Sequence, residues 1–479
     1  MRAAPPDLPG SHTTDSPLDR ALALLLAGER EAALRWSAAT VAKDPQTASA
    51  LILTSRLLAE AGRSEAATEG FELGIKRAID AGNLPIAVAA VGDLRSLGVN
   101  VDGHLDTIAS AFCRSSARLN DPATLPPPPL PDPAHDFQPL SSFLSGPLLL
   151  SKATQIIHEA RHAYETLEES EEPLISPVPL FSQLEREGLR ALIGAFGMMT
   201  VPAGDVVIAE GEEGAEAFIV ARGELEVRRQ QREVEPMSAS SLESAGALPE
   251  GAGRSTAPAS GGELTLARLT NGALFGEMAL LSRAPRAASV VACRPSILLV
   301  ARREALEAVA ATRPEVGIEL AAHCRRRMVA NLVRTSPVLI AVSASERPAL
   351  VERFETRVFE KGDKLIVAGE DTSGLHLIAS GEIAVIGDDG GEPFVISTLG
   401  AGDVVGEVAL VLRRKANADV VAVHPTVTLH LPREHFLSLI REHPAILLGL
   451  YTLAIERDEE TSNVLANVTT SVADDYVLV

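Results

Sequence analysis

Phe275-Gly276-Glu277-Met278-Ala279-Leu280-Leu281-Ser282-Arg283-Ala284-Pro285-Arg286-Ala287-Ala288-Ser289-Val290 is the most informative stretch of this chain. A strand ends at a glycine. A carboxylate follows, then one apolar helical turn, then Pro285-Arg286 and small residues that lead back into a strand. A short helix opening at a glycine offers unpaired backbone N–H groups, which suit an anion. Arg286 adds the bidentate, charge-assisted contact that a phosphate accepts. Glu277 repels a phosphate but accepts a hydrogen bond from a sugar hydroxyl. The alanines let the backbone approach closely. A phosphate fused to a ribose satisfies all these groups at once.

The stretch lies in a tandem repeat that begins near Ser176, where short Val/Ile/Leu strands alternate with glycine turns. Phe196, Gly204, Gly211, Gly223 and Glu224 recur 158 residues on as Phe354, Gly362, Gly369, Gly381 and Glu382. Gly276-Glu277 recurs as Gly406-Glu407 and Arg303-Glu304 as Arg433-Glu434, only 130 residues on. The first copy therefore carries an extra segment, residues 236–262, rich in Ser, Ala, Gly and Pro, which reads as a disordered excursion between two strands. Each copy is expected to end in a helix, about Arg303 to Arg334 and about Arg433 to Asn463, the latter breaking at Pro444.

The pattern Phe-Gly-Glu-apolar-Ala, then Pro-Arg-Ala-Ala-Ser-Val, resembles the phosphate-binding cassette of the cyclic-nucleotide-binding family, which includes kinase regulatory subunits and bacterial catabolite activators. Pro202-Ala203-Gly204-Asp205, Glu210-Gly211-Glu212 and Ala221-Arg222-Gly223-Glu224-Leu225 agree with the rest of that family's β-roll. The resemblance covers about Pro179 to Asn463. It implies that Glu277 takes the ribose 2′-hydroxyl and Arg286 the cyclic phosphate. Backbone amides of Gly276, Glu277, Met278, Ala279 and Ala287 would complete the cradle, with Ser289 near base and phosphate. Family members that prefer cyclic GMP commonly carry a hydroxyl residue directly after the phosphate arginine. Ala287 stands there, so the resemblance implies cyclic AMP as the favoured ligand.

The second copy keeps Gly406, Glu407, Val408 and Ala409 but not the rest of the cassette. Ala416 replaces Arg286, Lys415 replaces Pro285 and Asp419 replaces Ser289. Burying an anion without its counter-charge costs several kcal/mol, of order the whole of a micromolar affinity. The second roll is therefore expected not to hold a cyclic nucleotide. Arg413, Arg414 and Lys415 lie directly beside the lost position, and one of them could replace the cation if the cassette loop is rearranged.

Ahead of the rolls, residues 16–119 are Ala/Leu-rich with helical spacing. Ala27-Gly28-Glu29-Arg30-Glu31-Ala32-Ala33 recurs 34 residues on as Ala61-Gly62-Arg63-Ser64-Glu65-Ala66-Ala67. That is the tetratricopeptide period, with a third, poorer unit starting near Gly92. A generic helical bundle is the alternative. Residues 120–175 read as a linker with a proline run, Pro126 to Pro129, followed by a solvated helix.

Net charge −21 argues against a nucleic-acid partner, because phosphate-binding surfaces need a clustered basic excess. Cys113, Cys293 and Cys324 give neither a disulfide framework nor a metal spacing. The apolar run from Ala445 to Ile455 is too short to span a membrane, and the polar, Pro-rich start has no signal-peptide character. A cytoplasmic protein is expected.

Two motifs compete with the receptor reading. His158-Glu159-Ala160-Arg161-His162 fits the zinc-protease pattern, but no protease-sized domain surrounds it. Tyr476-Val477-Leu478-Val479, after Asp474-Asp475, could be a peptide ligand read through its carboxylate.

The fold expected is α+β and multidomain: an α-helical repeat joined by a flexible linker to two jelly-roll-type β-rolls with flanking helices. Residues 176–335 form the first cyclic-nucleotide-binding domain, 336–465 a second with a degenerate site, and 466–479 a tail. The function expected is a non-enzymatic cyclic-nucleotide receptor, an adaptor that couples ligand binding to a protein partner held by the helical repeat. It needs no cofactor, metal or membrane. The alternatives are a nucleotide-independent scaffold and a zinc hydrolase using His158 and His162.

Overall fold

The computed structural model describes residues 16–120, 137–166, 172–230, 263–278, 285–335, 350, 352–389, 392–444 and 446–459. It is α+β: a helical region, then two β-rolls with flanking helices.

The helical region runs α1 (Pro17–Leu26), α2 (Arg30–Lys43), α3 (Ala48–Glu60), α4 (Ser64–Asp80), α5 (Leu84–Ser96), α6 (Asp102–Phe112) and α7 (Gly146–Glu165). From α1 to α6, helices consecutive in the chain pack as neighbours. Gly28 and Gly62 close equivalent turns with φ of 83° and 78°, a conformation that glycine adopts at little cost. The small residues of α4 set how closely it crosses α3: a Cβ on Gly70 would lie 2.1 Å from Ser55 Oγ. Gly92, near which a third unit is expected to start, lies inside α5; the flanking turns are at Gly82, φ 68°, and Gly98, φ 76°.

Two parts of the linker reading are corrected. Helix α7 is no solvated spacer. Its stripe of Leu149, Ala153, Ile156, Ile157 and Ala160 is buried against α2, α3 and α4. Nor do the helices and the first roll stand apart, for they share one apolar core. The proline run and the rest of residues 121–136 lie outside the described residues, as do insert 236–262 and tail 466–479.

After α8 (Arg186–Gly194), roll 1 contains β1 (Gly197–Val201), β2 (Val206–Ile208), β3 (Glu216–Arg222), β4 (Leu225–Gln230), β5 (Glu263–Leu269), β6 (Leu274–Phe275), β7 (Ser289–Ala292) and β8 (Ser296–Arg302). They form two four-stranded antiparallel sheets, ordered β1-β8-β3-β6 and β2-β7-β4-β5. Phe218 stacks on Phe275 inside the roll at a centroid distance of 5.2 Å. The opposite face of β3, Ala217, Ile219 and Ala221, packs into the helical core, with α5 against β1, β3 and β8. A strand buried on both faces needs an unbroken apolar run, as Ala217 to Ala221 supplies.

Roll 2 repeats the plan with β9 (Glu355–Phe359), β10 (Lys364–Ile366), β11 (Gly374–Ser380), β12 (Glu382–Asp389), β13 (Glu392–Gly400), β14 (Val404–Val405), β15 (Asp419–Ala422) and β16 (Thr426–Pro432). Its sheets are ordered β14-β11-β16-β9 and β10-β15-β12-β13. Roll 1 is followed by α9 (Arg303–Thr312) and α10 (Pro314–Thr335), so the single helix expected there is broken. Proline at 314 cannot donate the bond that would continue α9. It stands 130 residues before Pro444, which breaks the matching helix of roll 2. Roll 2 adds α11 (Glu407–Val411), α12 (Arg433–Glu442) and a helical segment over 446–459. Met328 and Leu332 of α10 are buried in the apolar cluster of roll 2, with Leu377, Leu429 and Phe436. Helix α10 therefore bridges the two rolls.

Candidate functional site

Strand β6 ends at Gly276, whose φ is 73°, and a Cβ there would lie 3.0 Å from both Glu216 O and Arg286 Nη1. Only glycine combines that backbone with that clearance. Arg286 returns to the same point. Its N–H donates to Glu212 O at 2.9 Å, and its carbonyl accepts from Gly211 N–H at 2.8 Å. Its guanidinium is buried, donating to Gly276 O at 2.8 Å and Glu216 O at 2.9 Å, and lies 3.9 Å from the Glu216 carboxylate. Gly214 makes the room: a Cβ there would lie 2.3 Å from Arg286 Nη2. Burial, above all, pulls the Arg286 pKa below its ordinary value, but a guanidinium stays charged. Two of its five N–H groups serve the chain's own carbonyls, which fixes the orientation of the rest.

Glu277 is 3% exposed. Its Oε1 accepts an ion pair at 3.0 Å from Arg327 Nε of α10, and Cys324 Sγ of the same helix lies 3.9 Å from its carbonyl oxygen. Burial pushes the carboxyl pKa up, and the Arg327 charge pulls it back. Met278 packs against the apolar cluster of roll 2. Ser289 Oγ accepts from Glu210 N–H at 2.9 Å, and Ala287 is exposed. Ala279 lies outside the described residues. The structure thus brings Gly276, Glu277 and Arg286 together.

Roll 2 keeps the backbone of this site and changes its chemistry. Ala416 exchanges the corresponding bonds with Glu370 O at 2.9 Å and Gly369 N–H at 2.8 Å. Gly406 has φ 94° and opens α11, which carries Glu407, Val408 and Ala409. Thr372 stands where Gly214 does in roll 1. Its hydroxyl donates to Gly374 O at 3.0 Å, and residue 374 corresponds to Glu216, whose carbonyl Arg286 serves in roll 1. The arginine's structural duty has therefore passed to a threonine that fills its space. Asp419 does the work of Ser289, accepting Ala368 N–H at 2.7 Å. It also pairs with Lys364 at 2.6 Å, and these hydrogen bonds hold its carboxyl below the usual range. Arg414 pairs with Asp458, so it is not aimed at the lost position. Glu407 is 1% exposed and pairs with Arg457 at 2.6 Å, and burial pushes its pKa up.

Reading the sequence missed Gly214, Thr372, Arg327 and Arg457. The signal existed: Arg327 and Arg457 are 130 apart and Gly214 and Thr372 are 158 apart, the two offsets of the repeat. The metal motif is placed otherwise. His158 Nδ1 lies 2.7 Å from Glu69 Oε2 on the surface of the helical region. Among the described residues no group of three or more His, Cys, Asp or Glu side chains is arranged to hold a metal ion, and no helix is long and apolar enough to cross a membrane.

Residues 198–313 and 356–443 match the cyclic nucleotide-binding domain family. These two segments are thus tandem cyclic nucleotide-binding domains, distantly related to those of cAMP-dependent protein kinase regulatory subunits. The chain is 28% identical over 261 residues to the cAMP-dependent protein kinase regulatory subunit of Yarrowia lipolytica, covering 54% of this chain and 58% of that protein. It is 25% identical over 255 residues to the type II regulatory subunit of Drosophila melanogaster, covering 53% and 57%. It spans less than three fifths of the length of these two relatives. Among solved structures, the regulatory domain of Toxoplasma gondii protein kinase A with cAMP aligns at 24% identity over 58% of this chain and 92% of that chain, with a TM-score of 0.27.

Proposed function

We propose that the chain is a non-enzymatic cyclic-nucleotide receptor in which roll 1 binds one molecule, cAMP in preference to cGMP, and reports its occupancy to a protein partner. The observation that carries this reading is the cassette of roll 1 and its tie to α10. Arg286 is oriented by two carbonyls with donors to spare for a phosphate. Glu277 is positioned to accept a ribose hydroxyl while it holds Arg327. A ligand that engages Glu277 alters its pairing with α10, and α10 runs into the core of roll 2. Roll 2 lacks the phosphate cation and acts as the receiving body. The kinase regulatory subunits among the relatives support a kinase catalytic subunit as the partner. The helical region, read as a tetratricopeptide-type array, offers a second surface, and a cytoplasmic setting suits such a receptor.

Calorimetric titration of the intact chain tests this. The expected result is one cAMP per chain, bound more tightly than cGMP. Glu277→Ala and Arg286→Ala should each weaken binding by roughly 30-fold or more, the equivalent of about 2 kcal/mol or more for truncating one partner of a buried charged contact. Unchanged affinity in both variants would overturn the assignment. Two cAMP molecules per chain would overturn the role given to roll 2.

A further inference from the structure

A cavity of about 1000 Å³ lies in the helical region, between α4, α6, the end of α7 and the start of α8. That is ample for a small-molecule ligand. Arg77 of α4 lines it and is only 9% exposed. Its guanidinium lies over the Tyr164 ring, 4.5 Å from the centroid, an arrangement that leaves the N–H edge for hydrogen bonding. Nε is buried with no hydrogen-bond partner, and among the described residues no carboxylate pairs with the group. Buried charges are normally paired, so this one calls for an anion.

The carboxylates of the wall are engaged elsewhere. Asp80 takes Arg118 at 3.0 Å and the Tyr164 hydroxyl at 3.2 Å. Asp106 pairs with Arg186 and with Arg190, each at 3.2 Å, and Glu172 lies 3.5 Å from Arg118. We propose that this cavity binds an organic monocarboxylate, its carboxylate on the fork of Arg77 and its apolar body along Ile79, Ala111 and Ala117. The planar guanidinium matches a carboxylate with two parallel hydrogen bonds. A second negative charge on the ligand would lie among Asp80, Asp106 and Glu172, so dianions are disfavoured. Among the described residues none from either roll lines the cavity, so the site is independent of the nucleotide reading.

Calorimetric titration of the intact chain, saturated with cAMP to occupy roll 1, tests this with octanoate and with 4-phenylbutyrate. Saturable binding of at least one of them is expected, one molecule per chain. The corresponding amide, which has no charge, should bind roughly tenfold or more weakly. So should suberate, which adds a second carboxylate at the length of octanoate. Arg77→Met keeps an unbranched stem beside Tyr164 and removes the charge, and it should cost a similar factor. Ser110 is an exposed residue of α6 on the cavity wall. Ser110→Trp puts an indole into the cavity with Arg77 in place, so it should abolish binding, and it decides the matter if Arg77→Met does not fold. If cAMP does not bind, the reading of roll 1 fails, and Arg286→Ala then serves to exclude roll 1 as the carboxylate site. The proposal is overturned if neither carboxylate saturates, or if the amide or suberate binds as tightly. It is equally overturned if either cavity variant binds like the wild type, or if Arg286→Ala removes binding.

Discussion

Arg327 approaches Glu277 from a helix that begins well beyond the cassette, and the pair makes the carboxylate tolerable in the interior. Burial alone raises the Glu277 pKa, and Arg327 is the strongest influence lowering it. In Arg327→Ala the carboxyl keeps its burial and loses that counter-charge. Breaking a buried pair costs about 3–5 kcal/mol, and the partial exposure of Arg327 brings the expected loss below that range, to about 2–3 kcal/mol. The sign of its pH dependence follows from the direction of the shift. A carboxyl whose folded pKa lies above its unfolded value favours the fold in its protonated form, so stability is lost as pH rises through the folded pKa. The gap in urea stability between wild type and Arg327→Ala should therefore be wide near about pH 8 and narrow near about pH 5. An equal gap at both would show that Glu277 is not the group left without its counter-charge. Glu277 and Arg286 were legible in the sequence because their chemistry lies within one contiguous motif. Arg327 was not, because its partner comes from a separate helix, and a lone arginine in an amphipathic helix reads as surface.

Strands β11 and β16 place two histidines inside roll 2, where roll 1 has Phe218 and Val300 at the matching positions. His376 and His430 are each 1% exposed, with ring centroids 4.4 Å apart and His376 Nδ1 3.1 Å from Thr428 Oγ1. Burial, then the neighbouring His430 and Arg357, pushes the His376 pKa down to about 3, and burial lowers His430 as well. A histidine depressed in the fold gives stability that is complete above its unfolded value near about 6.5 and is lost as pH falls toward the folded value. At about 1.4 kcal/mol per pH unit, acidification to about pH 5 should cost roll 2 about 2 kcal/mol through His376 alone. Pulse proteolysis in urea should show roll 2 losing more stability than roll 1 on that acidification, and His376→Phe, which restores the residue of roll 1, should flatten the dependence. Equal pH sensitivity of wild type and variant would remove His376 as the cause. The strands of both rolls were readable from alternation and glycine turns. The break at Pro314 was not read, although its counterpart at Pro444 was. Helix α7 was misjudged because its neighbouring proline run suggested a spacer, while its own buried stripe carries the spacing of a packed helix.

The largest departure from the sequence reading is that the helical region and roll 1 are one body. No composition shift could reveal this, because the joining surface is made of strand residues already accounted for as roll. Asp19 of α1 fixes the junction. It is 4% exposed and pairs with Arg222 of β3 at 2.5 Å and with Arg294, while Arg222 also donates to Ser16 Oγ at 3.0 Å. Arg56 adds a second tie, with Asp93 at 2.8 Å and Met198 Sδ at 2.9 Å. Roll 1 and the helices should then unfold together, and a ligand of roll 1 should stabilise both, by about 2.7 kcal/mol at a free concentration of one hundred times its Kd. Trp36 in α2 is the only tryptophan in the chain, so its fluorescence reports the helical region alone. In the wild type, cAMP should raise the midpoint of the Trp36 thermal transition as much as it raises the calorimetric transition of roll 1. Asp19→Ala leaves Arg222 and Arg294 facing a junction without their carboxylate and should separate the two transitions. Calorimetry of that variant should resolve two peaks, with cAMP moving only the one that Trp36 does not follow. A Trp36 midpoint indifferent to cAMP in the wild type would mean that the shared core does not couple the helices to the nucleotide site. The helical surface would then carry no information about whether roll 1 is occupied.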